Sequence, residues 1–363
     1  MNTSMLQAMP GVRNVIHLVA PQPSETALIL TDWESDPSVA QAVMLECASK
    51  GVEHALLYSM EADLDRDPGA RSTGRAMAAA DIILGVFDSP MPHSRQRTAA
   101  LRKGSRYLHL LAQAEALSSA GAAFPLPVIF ALCRKLFDQW QAGRSIRITS
   151  ETGTDLTAKI VDPSYVVGGP MHPLEPGTFE VFEGGTGDVG LWPAWTGDGV
   201  LVFDGLGAFR ESFPLDERVR VTVREGRAVA VDGHPVLARR LNELLQAHPD
   251  ANHLGELMIC LNPAASLDRG LREATRHAGC LHAGFGYSID IYKDPRDRTS
   301  LKEPSVYLEI DGKPFALVDN LILKPTVYID NQLCVENGRL LALEDPEVRD
   351  LLVEAGWNGI AAS

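Results

Sequence analysis

Three segments in the carboxyl-terminal half decide how this chain is organised. They are HLGELMICLNPAA (His253 to Ala265), HAGCLHAGFGYS (His277 to Ser288) and FALVDNLILKPTVYID (Phe315 to Asp330). Apolar runs carry polar residues in all three segments, which predicts strands whose polar side chains project into a shared cavity. Buried carboxylates and imidazoles are costly unless they are paired or bind a metal ion. The pattern therefore predicts a metal site, the remnant of one, or a satisfied polar core.

The composition is that of an ordinary globular protein, and it limits the classes of partner. Over 363 residues the apolar fraction is 45%, the charged fraction is 22% and the formal net charge is −14. An acidic surface repels phosphates, so we expect neither nucleic acid nor an anionic membrane as the main partner. We identify no signal peptide at the amino terminus and no apolar run of about 18 residues that could span a membrane.

The cysteines are scattered through apolar surroundings and form no CxxC pair. This distribution predicts buried, reduced thiols in a cytoplasmic protein rather than disulfides or a zinc–thiolate site. The five cysteines are Cys47, Cys133, Cys260, Cys280 and Cys334.

The amino-terminal part alternates between apolar strands and helical spacing. The runs TALILT (Thr26 to Thr31), DIILGVF (Asp81 to Phe87) and RYLHLLA (Arg106 to Ala112) are typical of buried strands, with helices expected between them. The alternation predicts a parallel α/β layer with helices on both faces. No GxGxxG or GxxxxGK motif is present, which argues against a nucleotide cofactor.

Polar residues follow the strands of this predicted sheet, at the edge where open α/β sheets bind ligands. His93, Arg95 and Arg97 could hold an anionic group, since arginine suits bidentate contacts with carboxylates. The alternative is a solvated rim whose charged side chains bind nothing specific. Both interpretations stay open at the level of sequence.

A helix predicted over Val128 to Gln141 separates two kinds of pattern. After it, period-two alternation in Ser145 to Val161 and the turn pairs Glu225–Gly226 and Asn337–Gly338 predict hairpins. We therefore predict an amino-terminal parallel α/β domain over residues 1–144. A carboxyl-terminal α+β domain over residues 145–363 is expected to carry the site on a mixed or antiparallel sheet.

The three opening segments resemble those of aminopeptidase T-like metallopeptidases and of the related 2,5-dihydroxypyridine 5,6-dioxygenases, as do SETGTDLTAKI and GDVGLWPAWTGDGVLVFDG. The resemblance covers most of the chain, and the segments ILTDWESDPSVAQAV and SPMPHSRQRTAALRKG are closer to the dioxygenase branch. It implies a divalent metal (Fe²⁺, Zn²⁺ or Mn²⁺) wherever the ligand set is complete. It also implies a homo-oligomer, with a dimer expected.

Carried over residue by residue, the resemblance implies a set of metal ligands. His282 matches a metal-binding histidine of both branches, and Glu256 matches a metal-binding glutamate of the peptidases. Asp188 stands near the position of another peptidase glutamate. His253 or His277 could supply a further imidazole from a neighbouring element, although His277 is also a typical partner for the carboxyl end of a helix.

One position departs from the family pattern. Asp319 matches the aspartate of an HxD motif, but Leu317 stands where the histidine should be. Aligning the motif with Asp330 instead puts Tyr328 at that place, so neither alignment restores the histidine. A non-haem Fe(II) oxygenase needs two imidazoles and a carboxylate on one face, and a leucine cannot ligate.

The missing histidine favours a binding protein without a cofactor, in which the cleft persists and the metal chemistry is lost. A peptidase-like groove can hold a peptide or a small molecule through strand edges and side-chain pockets. The alternative is a metal-dependent enzyme, either a ring-cleaving dioxygenase or an aminopeptidase-like hydrolase, that uses His282, Asp319 and Glu256. A metal-free hydrolase ranks last, because no GxSxG motif is present. The candidate ligand-binding residues, which ordinary packing could also explain, are Trp192, Trp195, Tyr287, Tyr292, Lys293, Arg298, His93 and Arg95.

Overall fold

The computed structural model describes residues 3–59, 71–87, 95–111, 113–207, 213–247, 251–286, 308–310, 313–315 and 317–357. Within these ranges the chain forms two compact units. The first unit contains the described residues up to 126 together with residues 172–186. The second contains residues 127–171 and the described residues from 187 onward.

Helices and strands alternate in the amino-terminal half, as the sequence predicts. The elements are α1 (Thr3–Val19), β1 (Thr26–Thr31), α2 (Pro37–Ser49), β2 (Glu53–Tyr58), α3 (Arg71–Met77), β3 (Ile82–Val86), α4 (Arg95–Leu101), β4 (Arg106–Leu110), α5 (Ala114–Leu117) and α6 (Leu126–Ala142). In the described ranges, none of the helices is long and apolar enough to cross a bilayer.

Strands dominate the rest of the chain. The elements are β5 (Ser145–Thr149), β6 (Asp155–Lys159), β7 (Val166–Gly169), β8 (Phe179–Phe182), β9 (Asp188–Leu191), β10 (Asp198–Phe203), β11 (Gly205–Leu206), β12 (Val219–Arg224), β13 (Arg227–Gly233), α7 (Pro235–Gln246), β14 (Leu254–Cys260), α8 (Leu271–Ala274), β15 (Leu281–Gly286), β16 (Leu308–Ile310), β17 (Lys313–Phe315), β18 (Leu317–Ile322), β19 (Thr326–Ile329), β20 (Gln332–Glu336), β21 (Arg339–Leu340) and α9 (Pro346–Glu354).

The first unit is built on a five-stranded parallel sheet in the order β2-β1-β3-β4-β8. Every residue of β3 and β4 is buried, which explains the continuous apolar run of β3. β4 also buries Arg106, which forms an ion pair with Glu25, and His109. The prediction of a parallel α/β layer is confirmed. Strand β8 was not expected, because its four residues lie in a stretch rich in glycine and proline, a composition typical of loops.

Helix α1 is absent from the sequence-based expectations because Pro10 interrupts its pattern. Gly11 explains how the helix still packs, since a Cβ there would lie only 2.3 Å from the carbonyl oxygen of Leu117. The absent side chain therefore allows α1 to approach α5 closely. Asn14 strengthens this contact by donating from Nδ2 to the carbonyl oxygen of Ala122 at 2.7 Å.

The second unit contains an eight-stranded antiparallel sheet in the order β13-β12-β10-β6-β5-β19-β20-β21. Two of its hairpins turn at predicted dipeptides, where both residues have positive φ. These are Glu225–Gly226, with φ of 48° and 69°, and Asn337–Gly338, with φ of 47° and 83°. Paired positive φ angles give a turn whose twist matches that of the strands, so the predicted hairpins are confirmed.

A six-stranded sheet of the same unit has the order β11-β18-β15-β14-β9-β7, and all of its neighbouring strands are antiparallel. One face is apolar apart from the buried Asn320, and it includes an edge-to-face contact between Phe203 and Phe285 with centroids 6.3 Å apart. The prediction of an α+β region with antiparallel sheets is confirmed. All three opening segments contribute a strand to this sheet, since they contain β14, β15 and β18.

The two compact units differ in extent from the sequence-based division between residues 144 and 145. Helix α6 belongs to the second unit from residue 127, and residues 172–186 belong to the first. The second difference follows from β8, which pairs in parallel with β4 although it comes later in the chain. A single boundary in the sequence assumes that the chain passes from the first unit to the second only once. This chain instead returns to its first unit at residues 172–186.

Candidate functional site

The six-stranded sheet places the polar residues of the opening segments on one face. Glu256 on β14 and Asp319 on β18 both lie opposite Gly284 on β15. Residues opposite each other in antiparallel strands point to the same face, and two strand spacings separate the Cα atoms of Glu256 and Asp319 by about 10 Å. His282 lies two residues before Gly284 and therefore points to that face as well.

His282 and Glu256 contact each other directly. The distance from His282 Nε2 to Glu256 Oε1 is 3.1 Å. The two residues are 5% and 7% exposed, so both polar groups are removed from water. Burial of either group alone would be costly, and the contact gives each a partner. The sequence assigned both residues to one candidate metal site, and in the structure they are in direct contact.

Cys260 completes the polar contacts of His282. Its Sγ atom lies 3.6 Å from His282 Nδ1. Burial raises the pKa of the Cys260 thiol well above its usual range, so the thiol carries its proton at neutral pH. The thiol can then donate to Nδ1, which leaves the imidazole proton on Nε2, facing Glu256. We therefore assign a chain of hydrogen bonds that runs from Cys260 through His282 to Glu256.

Leu317 lies on the same strand as Asp319 and two residues before it. It pairs with Gly286, while Asp319 pairs with Gly284, so positions 317 and 319 share the face of Glu256. The backbone thus presents position 317 where a second imidazole would belong. Leucine has no ligating atom, so the departure from the family motif leaves this position of the site face without a metal ligand.

Asp188 does not join the other carboxylates. It pairs with Cys260 on β14, four residues from Glu256, which corresponds to roughly 13 Å along the strand. Its Oδ2 atom accepts a hydrogen bond from Nη1 of Arg276 at 2.5 Å, and both side chains are largely buried. This ion pair neutralises the carboxylate that resembles a peptidase ligand.

Two further histidines and one aspartate have other partners or positions. His277 Nδ1 lies 2.6 Å from the carbonyl oxygen of Ala265, within the turn after β14. His253 is 4% exposed and forms an isolated bridge with Arg227 just before β14. Asp330, the alternative position for the motif aspartate, lies in the β19–β20 turn of the eight-stranded sheet, where its carboxylate accepts hydrogen bonds from the Ser145 hydroxyl and from the backbone N–H groups of Arg144 and Ser145.

The predicted aromatic residues after β9 lie near the same strands. Leu191, the last residue of β9, pairs with Leu257, so Trp192 follows at the Glu256 end of β14. The Trp195 ring packs against Tyr165, with centroids 5.5 Å apart. Trp192 thus keeps its place as a candidate ligand contact, while Trp195 has a structural neighbour.

The amino-terminal candidates are only partly described. Arg95 is the first residue of α4, and its side chain is outside the described residues. Arg97 is 2% exposed and its guanidinium lies 4.3 Å from the centroid of the Phe179 ring. A cation over an aromatic ring is a favourable packing contact, so Arg97 is a buried residue rather than part of a solvated rim. Anion binding by this segment stays a prediction. The candidates that lie outside the described residues are His93, Tyr287, Tyr292, Lys293 and Arg298.

The donor set does not fit the metal centre that the family resemblance implies. A facial triad takes two imidazoles and one carboxylate. On the site face, the described residues offer one imidazole, that of His282, and Leu317 occupies the position of the second. Across the described part of the chain, no group of three or more His, Cys, Asp and Glu side chains is arranged to hold a metal ion.

Sequence analysis missed two residues of this face. Cys260 and Arg276 are close to His282 and Asp188 in space, but 22 and 88 residues separate the members of each pair along the chain. The period-two spacing of Glu256, Met258 and Cys260 was a usable signal, because it places Cys260 on the face of Glu256. All five cysteines are buried and free, as predicted.

The fold and the sequence match known proteins. A sequence profile described as 2,5-dihydroxypyridine 5,6-dioxygenase matches residues 7–256, more than half of the chain. The structure of a 2,5-dihydroxypyridine dioxygenase from Pseudomonas putida KT2440 is similar, with a TM-score of 0.74, 19% identity, and coverage of 96% of this chain and 99% of that chain. Wild-type AmpT from Thermus thermophilus has a TM-score of 0.62, 14% identity, and coverage of 92% and 98%. No curated protein sequence matches significantly.

Proposed function

The chain belongs to the 2,5-dihydroxypyridine 5,6-dioxygenase family, and on that premise we propose that it binds a peptide or a small organic ligand without the metal-dependent chemistry of the family. The observation that carries this proposal is Leu317, which stands on the site face where a second imidazole is required. Leucine at that position supplies no ligating atom, and water or a neighbouring backbone group is a poor substitute for the missing imidazole.

Two contacts support the proposal. His282 and Glu256 are engaged with each other at 3.1 Å, so the pair is satisfied as it stands. Asp188 is neutralised by Arg276 at 2.5 Å. Polar groups that are already paired need no metal ion to offset the cost of their burial.

The same face offers groups that would recognise a polar ligand. Glu256 and Asp319 are hydrogen-bond acceptors on either side of Gly284, which contributes no side chain between them. Such a pair favours a ligand that brings N–H or ammonium donors. Trp192, beyond the Glu256 end of β14, would add apolar contact area.

Metal analysis tests the proposal. The purified protein is loaded separately with Fe(II), Mn(II) and Zn(II), desalted and analysed by mass spectrometry of the metals. We expect less than about a tenth of an equivalent in each case, because the ligand set is incomplete. The Leu317→His variant adds an imidazole beside Asp319 and should retain more metal than the wild type. Leu317→Phe is the matched control, since it changes the volume without adding a ligand.

The alternative function, a metal-dependent enzyme, predicts the opposite. About one tightly held equivalent in the wild type, lost in the His282→Ala variant, would overturn the proposal. Native mass spectrometry then addresses the ligand. We expect the wild type to retain a bound ligand, seen as an added mass, and the Trp192→Ala and Glu256→Gln variants to lose it. A wild-type protein that carries metal but no added ligand mass would favour the enzyme.

A further inference from the structure

A glycine-rich loop of the first compact unit has a run of hydrogen-bond donors without acceptors. The loop follows β8, in a part of the chain that the structure describes without a gap from residue 113 to residue 207. Its residues Gly184, Gly185 and Thr186 are buried. Among the hydrogen bonds of the described residues, none has the backbone N–H of any of these three residues as its donor. Buried backbone N–H groups are almost always paired, so three in succession require an explanation.

The side chain of Thr186 adds a fourth donor. Thr186 is 1% exposed, and its Oγ1 atom is buried without a hydrogen-bond partner among the described residues. A buried hydroxyl in this state is unfavourable, because it has lost its hydrogen bonds to water. The hydroxyl and the N–H belong to the same residue, so one acceptor atom can contact both.

The carbonyl oxygens of the loop, in contrast, have donors. The oxygen of Gly185 accepts a hydrogen bond from the N–H of Glu183 at 2.9 Å. The oxygen of Gly184 accepts one from the Ser119 hydroxyl at 3.4 Å, and Ser119 Oγ in turn accepts one from the N–H of Ala122 at 3.0 Å. These contacts fix the loop with its N–H groups unpaired before any ligand arrives, which lowers the cost of binding.

Four donors without acceptors are suited to an anion. Successive backbone N–H groups in a glycine-rich loop carry partial positive charge and bind anions without a basic side chain. Of the two carboxylates that flank the loop in sequence, Asp188 is neutralised by Arg276 and Glu183 is half-buried. A neighbouring carboxylate repels a doubly charged ligand more than a singly charged one. A carboxylate is a single charge with two acceptor oxygens, so it fits this donor set.

We propose that this loop binds a small carboxylate through the N–H groups of Gly184, Gly185 and Thr186 and the hydroxyl of Thr186. Hydrogen bonds to an ionised oxygen are about twice as strong as those to a neutral one, so the loop prefers a carboxylate to an amide. The site uses none of the residues of the face that carries His282 and Glu256. It therefore does not depend on whether that face binds a ligand or a metal ion.

Acetate tests the proposal, with acetamide as its neutral counterpart, in a chloride-free HEPES buffer at pH 7.5. The protein is labelled with ¹⁵N in glycine and threonine, and its amide signals are followed by NMR. We expect acetate to shift the signals of Gly184, Gly185 and Thr186 saturably, with a dissociation constant that is roughly millimolar. Acetamide should bind about fivefold more weakly or not at all.

Two results of this titration would overturn the proposal. Acetate that shifts none of the three signals would mean that ordered water alone satisfies the loop. Equal affinity for acetate and acetamide would overturn the assignment of negative charge to the ligand.

Thr186→Val removes the hydroxyl and keeps nearly the same shape. It should weaken acetate roughly tenfold, because a hydrogen bond to a charged oxygen is lost. Without acetate its melting temperature should match that of the wild type, because the hydroxyl has no partner to lose. An unchanged acetate affinity in Thr186→Val would overturn the place of the hydroxyl in the site.

Thr154→Val is the matched control. Thr154 is 2% exposed, and its Oγ1 accepts a hydrogen bond from the N–H of Val202 at 2.9 Å. The same substitution at this position should therefore lower the melting temperature and leave the acetate affinity unchanged. A loss of acetate affinity equal to that of Thr186→Val would show that the effect is not specific to the loop, and would overturn the site.

Discussion

Single residues decide the chemistry of the six-stranded sheet. Cys260, His282 and Glu256 form one hydrogen-bonded chain, and all three side chains are buried. A buried pair contributes little to stability when complete, but removal of one member leaves the other without compensation. The pair is therefore best examined by comparing single and double substitutions.

We predict that Glu256→Leu lowers the free energy of unfolding by about 3 kcal/mol, because it leaves the buried imidazole of His282 without its acceptor. The double variant Glu256→Leu/His282→Leu should lose less than the sum of the two single variants, since it removes both polar groups together. Urea denaturation measures all of these values. Glu243→Gln, an exposed change on α7, is the control and should have almost no effect. Additive single effects would contradict the pairing.

Asp330 gives a pH-dependent prediction. Hydrogen bonds from the Ser145 hydroxyl and the backbone N–H of Arg144 hold the pKa of its carboxyl below the usual range. A carboxyl whose pKa is lower in the folded state stabilises the protein above the unfolded pKa, and the stabilisation is lost as the pH falls through the folded pKa.

Asp330→Asn isolates this contribution, because asparagine also tolerates the φ of 51° at this turn. We expect the wild type to exceed the variant in stability at neutral pH, and the difference to shrink progressively below about pH 4. Thermal unfolding of both proteins across this range measures the difference. An offset that stays constant with pH would show that the ionised carboxylate is not responsible.

At the scale of elements, the contact between β9 and β14 depends on a glycine. A Cβ atom at Gly190 would lie 1.8 Å from the carbonyl oxygen of Leu257 and 2.7 Å from the Cα atom of Met258. Backbone atoms cannot move aside as a flexible side chain can. Any side chain at this position must therefore push β9 away from β14, the strand that carries Glu256.

We predict that Gly190→Ala destabilises the protein by more than about 3 kcal/mol, because it breaks strand pairing as well as packing. Gly270→Ala is the control. Nothing lies within 4 Å of a Cβ at Gly270, but its φ is 88° and its ψ is 170°, so the cost is that of backbone strain alone, about 1–3 kcal/mol. Denaturant unfolding compares the two. Equal effects would mean that β9 adjusts its distance to β14.

Local patterns predicted most elements, and non-local pairing explains what they missed. The buried runs of β1, β3 and β4 and the turn at Asn337–Gly338 depend on neighbours in sequence, so the pattern revealed them. Strand β8 exists because it pairs with β4, and α1 persists through Pro10 because Gly11 packs against α5. No local signal encodes either contact.

The site was predictable to a similar degree. The absence of an imidazole at Leu317 follows from the sequence alone, once the motif around Asp319 is aligned. The contact between His282 and Glu256 requires the register of β14 against β15, which shifts between Leu254 and Glu256. Period-two spacing puts Cys260 on the face of Glu256, but only the register of β14 against β15 brings it beside His282.

At the scale of the whole molecule, a shared fold does not imply shared chemistry. The chain shares its fold with a dioxygenase and with AmpT over nearly its full length, yet the described residues of its site face include one imidazole, that of His282. A fold supports many functions, and function depends on the residues placed on it. The family resemblance is therefore a good guide to architecture, while the donor set decides the chemistry.

Self-association leads to a prediction that follows from the charge of the whole chain. Each chain carries a formal net charge of −14, so two copies repel each other. Salt screens this repulsion, with a Debye length that falls from about 30 Å at 0.01 M to about 3 Å at 1 M. For the expected dimer, association should therefore tighten as salt is added, in contrast to an interface that depends on ion pairs.

Sedimentation velocity at pH 7.5 over a range of protein concentrations measures the dissociation constant. We expect it to fall several-fold, roughly three- to tenfold, when sodium chloride is raised from about 0.02 M to about 0.5 M. The direction of the change in the dissociation constant distinguishes the two cases, because salt weakens both the repulsion between acidic chains and the attraction through surface ion pairs, with opposite effects on association. A chain that stays monomeric up to about 100 µM at both salt concentrations would contradict the dimer. A dissociation constant that rises with salt would instead locate the interface on complementary charges.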